Sequence, residues 1–418
     1  MFHRVVVTGM GAISPLGNDV PTTWQALKEG KSGTDTITAF DSSTCKTHIA
    51  AEVRGFDPEV IIEKKDVRRI DRYAQFALYT AKEALQDSEL DLDKEDKDRI
   101  GVIWGSGMGG ILTIEEEISE FGRGDGTPRF TPFYIPKGIL SMAAGLVSIQ
   151  YGLRGPNFTT SSACASSAHA IVSACNYIRL GKASVILTGG SDADITYSGI
   201  GGFNAMHALS TRNDEPKTAS RPFSASRDGF VLGEGGVCLV LEDLEHALAR
   251  GAKIYAELVG TGVNADAYHM TAPHAEGEGA SRVMQMAMEE AGITPADVDY
   301  INAHGTSTAL GDVAEVKAIE RVWGQDAERL NISSTKSMTG HLVGAAGAIE
   351  ALATVMALKE GIVPPTINHA EGDEDEKINY RLNFTFNKAQ KRDLRYALSN
   401  AFGFGGHNVC LLFKKWNG

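Results

Sequence analysis

A single cysteine at the start of a small-residue helix is the first candidate for chemistry. Cys164 follows the extended segment 157–160, and the residues after it are mostly Ala, Ser and Ile. A thiol in the first turn of a helix faces unpaired N–H groups and the positive end of the helix dipole, which favour the thiolate. We therefore predict a nucleophile at Cys164. The alternative is that Cys164 packs as a small apolar side chain.

Two histidines in the second half are candidate partners of this cysteine. His304 lies in the string NAHGTST, and His341 ends the string TKSMTGH, which also contains Lys336. A cysteine with one histidine is typical of acyl transfer or proteolysis. Two neutral histidines that donate hydrogen bonds to one oxygen can stabilise an enolate. A lone histidine is more often structural, so the combination with Cys164 carries the prediction.

The elements that must position these residues repeat along the chain. The first half has a predicted helix at 61–87, strands at 99–104 and 185–190, and the helix that begins near Cys164. The second half has predicted helices at 280–292 and 342–358 and strands at 298–302 and 396–400, and its segment 331–336 is similar to 159–164. This self-similarity predicts a duplicated α/β unit whose strand ends meet at the functional site.

Composition excludes several classes of function. The chain has 418 residues, of which 43% are hydrophobic and 22% charged, without a low-complexity linker. Its net charge of -13 argues against nucleic-acid binding. The most apolar run, 139–149, is shorter than the roughly 18 residues of a membrane span. We therefore expect a protein of the cytoplasm or of an organelle matrix.

Other local patterns indicate no further chemistry. Five scattered cysteines form neither a disulfide framework nor a zinc pattern, so the four besides Cys164 are predicted to pack in the interior. Gly9 and Gly11 follow the first predicted strand, but the third glycine of a dinucleotide fingerprint is missing. The basic cluster at 64–69 is either a solvated face or a dock for an acidic partner.

Long strings of the sequence resemble those of the β-ketoacyl-[acyl-carrier-protein] synthase II family. They are RVVVTGMGAISPLGN, GGFNAMHALSTRND, RDGFVLGEGG, DAYHMTAP, NAHGTST, SSTKSMTGHLVGAAGAIE and FGFGG. The resemblance implies the α/β thiolase fold, in which two βαβαβαββ halves, here 1–255 and 256–418, form five αβαβα layers. It also implies a cytoplasmic homodimer that elongates fatty acids by decarboxylative condensation of malonyl carrier protein with an acyl group, without a metal or an organic cofactor.

The resemblance implies a role for each matched residue. Cys164 would hold the acyl group, and the N–H groups of Cys164 and Phe402 would form the oxyanion hole, with Phe402 as a gate. His304 and His341 would hold the malonyl thioester carbonyl, and Lys336, paired with Glu350 or Glu315, would organise the site. Substrate would contact Thr271, Thr306, Thr308, Phe404, Met108 and Phe133, and acyl carrier protein would contact Lys64, Lys65, Arg68, Arg69 and Arg129.

The sequence also departs from the family pattern at four positions. Phe130 and His207 stand where basic side chains are common, and Ala401 and His407 flank the final glycine loop where Ser and Thr are commoner. A polyketide ketosynthase, a thiolase and a non-catalytic chain-length-factor subunit are the alternatives. A thiolase is disfavoured because the final glycine loop has no cysteine, and Cys164 with both histidines disfavours the non-catalytic subunit.

Overall fold

The architecture is built on one ten-stranded sheet. The computed structural model describes residues 2–418. Within those residues the strands are β1 (Val5–Ile13), β2 (Asp35–Thr36), β3 (Ile49–Ala50), β4 (Ile100–Gly105), β5 (Asn157–Thr160), β6 (Val185–Asp192), β7 (Gly235–Asp243), β8 (Ala256–Ala265), β9 (Tyr300–Asn302), β10 (Asn331–Ser333), β11 (Ile362–Val363), β12 (Gln390–Lys391), β13 (Tyr396–Gly403) and β14 (His407–Lys415). β2 with β3 and β11 with β12 form two small separate sheets.

The strand order of the main sheet contains the same pattern twice. The order is β10-β9-β13-β14-β8-β1-β7-β6-β4-β5. In each half the three outer strands are parallel and the two inner strands are antiparallel to their neighbours. The halves join where β1 meets β8, through the short antiparallel pairing of Val6 and Val7 with Glu257 and Ala256. This topology confirms the predicted duplication.

Helices cover and separate the two halves of the sheet. Within residues 2–418 they are α1 (Val20–Glu29), α2 (Lys64–Val67), α3 (Arg72–Ser88), α4 (Ile111–Arg123), α5 (Tyr134–Gly138), α6 (Met142–Tyr151), α7 (Ser166–Arg179), α8 (Tyr197–Ala205), α9 (Leu244–Ala249), α10 (Glu278–Ala291), α11 (Gly311–Trp323), α12 (Lys336–Thr339) and α13 (Ala346–Glu360). None of these helices is both long and apolar enough to cross a membrane.

Alternation along the strands shows how the layers are arranged. In β6, Val185 and Leu187 pack in the cluster that contains α3, whereas Ile186 packs in the cluster that contains α7 and α13. In β14, Leu412 packs with α10 and Leu411 with the central helices. Successive strand residues face opposite sides of a sheet, so α3 and α10 are outer layers and α7 with α13 the central layer. The five-layered αβαβα arrangement is thus confirmed.

The central layer depends on small side chains. Every residue of α13 from Ala346 to Leu358 is buried, which is typical of a helix enclosed on all sides. At the contact with α7, a Cβ atom on Gly347 would lie 2.8 Å from the Cβ of Ala168 and 3.0 Å from its backbone nitrogen. The absence of a side chain at Gly347 therefore sets the spacing between α7 and α13.

Two predicted helices have different bounds from those expected. The helix at 61–87 is interrupted, because Asp71 is extended and its carboxylate caps α3 by accepting the N–H of Tyr73. The basic cluster consequently lies on the separate helix α2 and the turn after it. The helix at 342–358 begins at Ala346, after a single 3₁₀ turn at Val343–Ala345. The segment that contains α4, α5 and α6 was not predicted.

Gly347→Ala should lower the free energy of unfolding by about 1–3 kcal/mol, because the added methyl group overpacks the α7–α13 contact. Thermal and denaturant unfolding measure this change. Gly201→Ala in α8 is the matched control, since nothing lies within 4 Å of its added Cβ. Equal stability of the two variants would contradict close packing of the central helices.

Candidate active site

The nucleophile candidate lies in a tight turn between β5 and α7. Ala163 has φ +51°, and the hydroxyl of Ser166 donates to the Ala163 carbonyl at 2.6 Å and accepts the N–H of Ser162 at 2.9 Å. α7 begins at Ser166, so Cys164 precedes the helix instead of lying in its first turn. The turn presents the thiol beneath the helix N-terminus, where only 9% of the residue is exposed.

Burial determines the protonation state of this thiol. It raises the pKa of Cys164 to about 12, although the charge of Lys336 and the backbone N–H of Phe404 both lower it. The expectation of a resting thiolate is therefore wrong, because desolvation outweighs the effects of the Lys336 charge and the Phe404 N–H. The thiol rests in its protonated form and has to lose the proton during reaction.

The final glycine loop packs directly on the nucleophile turn. A Cβ atom on Gly403 would lie 2.6 Å from the carbonyl oxygen of Ser162 and 3.2 Å from the backbone nitrogen of Cys164. Only glycine allows this approach. The N–H that acts on the Cys164 sulfur belongs to Phe404, whereas Phe402 pairs with Asn408 in the β13–β14 ladder. This contact favours the N–H of Phe404 over that of Phe402, the expected residue, as the second oxyanion donor.

A buried lysine connects the two candidate histidines. The ammonium of Lys336 donates to the His304 carbonyl at 2.7 Å, lies 3.3 Å from His304 Nδ1 and forms an ion pair with Glu350. An ammonium has only donors, so Nδ1 of His304 accepts and Nε2 carries the proton. The rings of His304 and His341 lie 5.5 Å apart between centroids and at 86° to each other.

Both histidines are neutral in this environment. Burial lowers the pKa of His304 well below its ordinary value, and the charges of Lys336 and His341 lower it further. Burial and Lys336 have the same effect on the pKa of His341. Neutral imidazoles can donate a hydrogen bond without adding a charge to the cavity, as the enolate role requires.

Glu350 and Glu315 were the two candidate ion-pair partners of Lys336, and their contacts differ. Glu350 is its ion-pair partner, and burial raises the pKa of this carboxyl to about 7 although Lys336 pulls it down. Glu315 instead accepts the backbone N–H groups of His304 at 2.9 Å and Gly305 at 2.8 Å and the side-chain amide of Asn400 at 3.1 Å. Glu315 therefore holds the backbone turn that presents His304.

These groups open into one cavity of about 360 Å³. Cys164, His304, His341, Phe402 and Phe404 line it. The three predicted threonines also line it, and the hydroxyls of Thr306 and Thr308 lie 3.0 Å apart. Thr271 reaches the same cavity from the loop after β8. The three threonines therefore share one cavity with Cys164 and both histidines.

Met108 and Phe133, which were expected to close the substrate pocket, do not line this cavity. Met108 lies in the turn after β4, where its backbone N–H is 3.4 Å from the carboxylate of Asp192. Phe133 is exposed, with the guanidinium of Arg69 5.1 Å from the centre of its ring. In the single chain these two residues therefore lie outside the site.

Sequence reasoning missed an apolar wall of the same cavity. Its residues are Phe203, Met206, Phe230 and Val343. Phe230 packs edge-on against His341, with 5.1 Å between ring centroids. The strings GGFNAMHALS and RDGFVLGEGG contain three of these residues but show no periodicity that marks a cavity, so the fold was needed to find them.

The predicted basic residues lie on the surface, most of them beside carboxylates. Lys65 pairs with Glu63 at 2.7 Å and Arg69 with Asp66 at 2.7 Å. Further ion pairs join Lys64 to Glu59 at 3.8 Å and Arg129 to Asp125 at 3.0 Å. Arg68 lies in the turn that follows α2. Much of the positive charge is therefore locally compensated.

Family models match most of the chain. The model of the β-ketoacyl synthase N-terminal domain matches residues 3–247, and that of the C-terminal domain matches residues 255–370. The 3-oxoacyl-[acyl-carrier-protein] synthase 2 of Staphylococcus aureus (strain COL) is 50% identical over 413 residues, which are 99% of this chain and 98% of that protein.

Solved structures give the same result. A β-ketoacyl synthase from Burkholderia phymatum STM815 has a TM-score of 0.91 and 38% sequence identity, with 99% of this chain and 100% of that chain covered. A second solved structure is of a type II polyketide synthase acyl-carrier protein in complex with its ketosynthase bound to the hexaketide. The matched chain has a TM-score of 0.90 and 34% sequence identity, with 100% of this chain and 100% of that chain covered.

Alkylation of Cys164 by iodoacetamide should accelerate about tenfold per pH unit from pH 7 to pH 10, because the raised thiol pKa leaves little thiolate in this range. Mass spectrometry of the Cys164 peptide in a Cys45→Ser background measures the rate. Lys336→Met should slow the reaction further at each pH. A rate that reaches a plateau below pH 9 would contradict the protonated resting thiol.

Proposed function

The chain belongs to the β-ketoacyl synthase family and is a condensing enzyme of fatty-acid elongation, and we propose that Cys164, His304 and His341 carry its chemistry. The reaction joins an acyl group to malonyl carrier protein, releases CO₂ and gives a 3-oxoacyl carrier protein two carbons longer. The observation that carries the residue assignment is a cavity lined by one cysteine and two neutral histidines.

The first half-reaction transfers the acyl group to the enzyme. The Cys164 sulfur attacks the thioester carbonyl of acyl carrier protein, forms a carbon–sulfur bond and breaks the bond to the carrier sulfur. The thiol proton passes to the departing carrier sulfur, which leaves as a thiol. We assign the oxyanion hole to the backbone N–H groups of Cys164 and Phe404, since Gly403 brings the loop within contact distance of the turn.

The second half-reaction forms the new carbon–carbon bond. Nε2–H of His304 and the ring of His341 bind the thioester carbonyl of malonyl carrier protein. Loss of CO₂ leaves its electron pair on the α-carbon, and the two neutral donors stabilise the resulting enolate. The enolate carbon attacks the acyl-Cys164 carbonyl, and collapse of the tetrahedral intermediate expels the Cys164 thiolate, which takes up a proton from the solvent.

Lys336, Glu350 and Glu315 act as positioning residues in this scheme. Lys336 fixes the tautomer of His304 through Nδ1 and is itself held by Glu350. Glu315 orients the backbone of the same histidine. We propose that Thr271, Thr306 and Thr308 bind the phosphopantetheine arm, because all three line the cavity that contains both histidines. The ring of Phe402, 5.6 Å from that of His304, covers this histidine from the loop side.

An edge strand and an exposed apolar surface beside it support a homodimer. β5 is an edge strand of the ten-stranded sheet, and such edges are usually covered or paired. The neighbouring segment α4–α6 exposes a group of large apolar side chains, which on soluble surfaces indicates an interface. They are Ile114, Ile118, Phe121, Phe133, Ile135, Ile139 and Ile149. We propose that a second copy covers this face and thereby encloses Phe133 and the turn of Met108.

The carrier protein is the second proposed partner, and the ketosynthase of the polyketide complex described above binds such a carrier. We propose that Lys64, Lys65, Arg68, Arg69 and Arg129 attract it over a distance.

We propose that the chain divides into two halves, 1–255 and 256–418, because β8, the first strand of the second half, begins at Ala256. A cytoplasmic location and the lack of a metal or organic cofactor stay predictions.

Cys164→Gln should abolish condensation yet retain decarboxylation of malonyl carrier protein, because a side-chain amide resembles the acyl thioester while both histidines remain. His304→Ala is the complementary variant and should lose decarboxylation at least a hundredfold. Release of ¹⁴CO₂ and formation of 3-oxoacyl product measure the two steps. Loss of decarboxylation in a folded Cys164→Gln protein would contradict this division of roles.

Ile118→Asp should shift the protein from dimer to monomer in sedimentation velocity, because it places a charge in the proposed apolar interface. Leu248→Asp on α9, also at an exposed apolar position, is the matched control and should remain dimeric. A monomeric unmodified protein, or a dimeric Ile118→Asp variant, would exclude α4 from the interface.

A further inference from the structure

We propose that Asp192 is a positioning residue for the acyl chain, because its carboxylate holds Val343 of the apolar cavity wall in place from the other half of the fold. This proposal rests on the proposed function, since it assumes an acyl group on Cys164. Asp192 is the last residue of β6, is fully buried and does not itself line the cavity.

The backbone of the cavity wall is strained at Val343. Its φ is +47°, in the left-handed region that is unfavourable for a β-branched residue. The side chain is buried, lines the cavity and packs in one cluster with Phe230. Strain of this kind persists only where the surrounding structure stabilises it. A contact from outside this segment must therefore hold Val343.

The carboxylate of Asp192 supplies that contact. Its Oδ2 accepts the N–H of Gly344, the residue after Val343, at 2.7 Å. The turn after β4 also donates to it, through the Ser106 hydroxyl at 2.6 Å and the Gly107 N–H at 2.8 Å. Every one of these groups is a donor. An ionised carboxylate can accept from all of them, whereas a side-chain amide cannot.

Glycines allow the two segments to approach the carboxylate. A Cβ atom on Gly344 would lie 2.4 Å from Oδ2 of Asp192 and 2.2 Å from the backbone nitrogen of Gly107. A Cβ atom on Gly107 would lie 3.0 Å from Cγ1 of Val343. Val343 is therefore fixed through the backbone by Asp192 and through its side chain by the turn after β4.

The acyl chain is the part of the substrate that needs this wall. The chain is apolar and is attached at Cys164, which lines the same cavity as the apolar wall of Phe203, Met206, Phe230 and Val343. Burial of methylene groups against apolar side chains is favourable and grows with the length of the chain. The position of Val343 consequently matters more for a long primer than for a short one.

His341 is held by different contacts. Its N–H donates to the carbonyl of Val231 at 2.8 Å, and its carbonyl accepts the N–H of Gly233 at 2.9 Å. Loss of the Asp192 carboxylate should therefore move Val343 and leave this histidine in place. The acyl step and the malonyl step consequently respond differently to a change at Asp192.

The test is the chain-length ratio, defined as kcat/KM for dodecanoyl carrier protein divided by kcat/KM for butanoyl carrier protein, each condensed with malonyl carrier protein. Asp192→Asn should lower this ratio about tenfold, because the amide leaves buried donors unpaired and releases Val343.

Asp194→Asn is the matched control and should leave the chain-length ratio unchanged. Asp194 is also fully buried, but within residues 2–418 neither of its carboxyl oxygens has a hydrogen-bond partner. Burial and the charge of Asp192 raise the pKa of Asp194 well above its ordinary value. The amide thus replaces a neutral carboxyl group of similar shape.

Two further variants separate the wall from the histidines. In a Cys164→Gln background, Asp192→Asn should retain decarboxylation of malonyl carrier protein. Val343→Gly should itself lower the chain-length ratio, since it removes a side chain of the wall, and adding Asp192→Asn should lower it no further, because glycine adopts positive φ without strain. If Asp192→Asn alone does not fold, Val343→Gly should restore folding, measured by circular dichroism.

Four results would overturn the role of Asp192. They are equal losses for both primers, loss of decarboxylation in the folded double variant with Cys164→Gln, additive effects of Asp192→Asn and Val343→Gly on the chain-length ratio, and an unfolded Asp192→Asn protein that Val343→Gly does not rescue. A wild-type protein that condenses neither primer would instead refute the proposed function.

Discussion

The site depends on one buried positive charge. Lys336 lies in the interior, where an isolated ammonium would be very unfavourable, and its donors go to Glu350, the His304 carbonyl and His304 Nδ1. This arrangement has two consequences for the histidines. It adds to the burial that lowers the pKa of both rings, and it places the ring proton of His304 on Nε2, on the side away from the lysine. Without the lysine, nothing else among these contacts would select that tautomer.

The duplicated fold explains why this charge and the nucleophile meet. Cys164 and Lys336 both follow the edge strand of their half, β5 and β10, just before the helices of the central layer. The two halves thus contribute equivalent positions with different chemistry, a thiol from one and an ammonium from the other. Small residues such as Gly347 and Gly403 allow the backbones to approach, so the close packing that stabilises the core also sets the distances in the site.

Much of this could be predicted from the sequence, and the failures have physical causes. The repeat, the order of the layers and the grouping of Cys164 with both histidines followed from strand-end patterns and from the family resemblance. The thiol pKa was predicted in the wrong direction, because the helix dipole is visible in a sequence whereas the degree of burial is not. The interruption at Asp71 was missed because a single capping carboxylate overrides a continuous amphipathic pattern. Phe402 was expected as the second oxyanion donor, where we propose Phe404, because a sequence does not show which N–H of the loop points toward Cys164.

The most direct test of this account is ¹⁵N NMR of the imidazole nitrogens in protein labelled at histidine, with His304 and His341 assigned by single substitution. We expect both rings to stay neutral from pH 5.5 to pH 8, with the proton of His304 on Nε2 throughout. In Lys336→Met that preference for Nε2 should disappear. Titration of either ring near pH 6.5, or a proton on Nδ1 of His304 in the unmodified protein, would contradict the role assigned to Lys336.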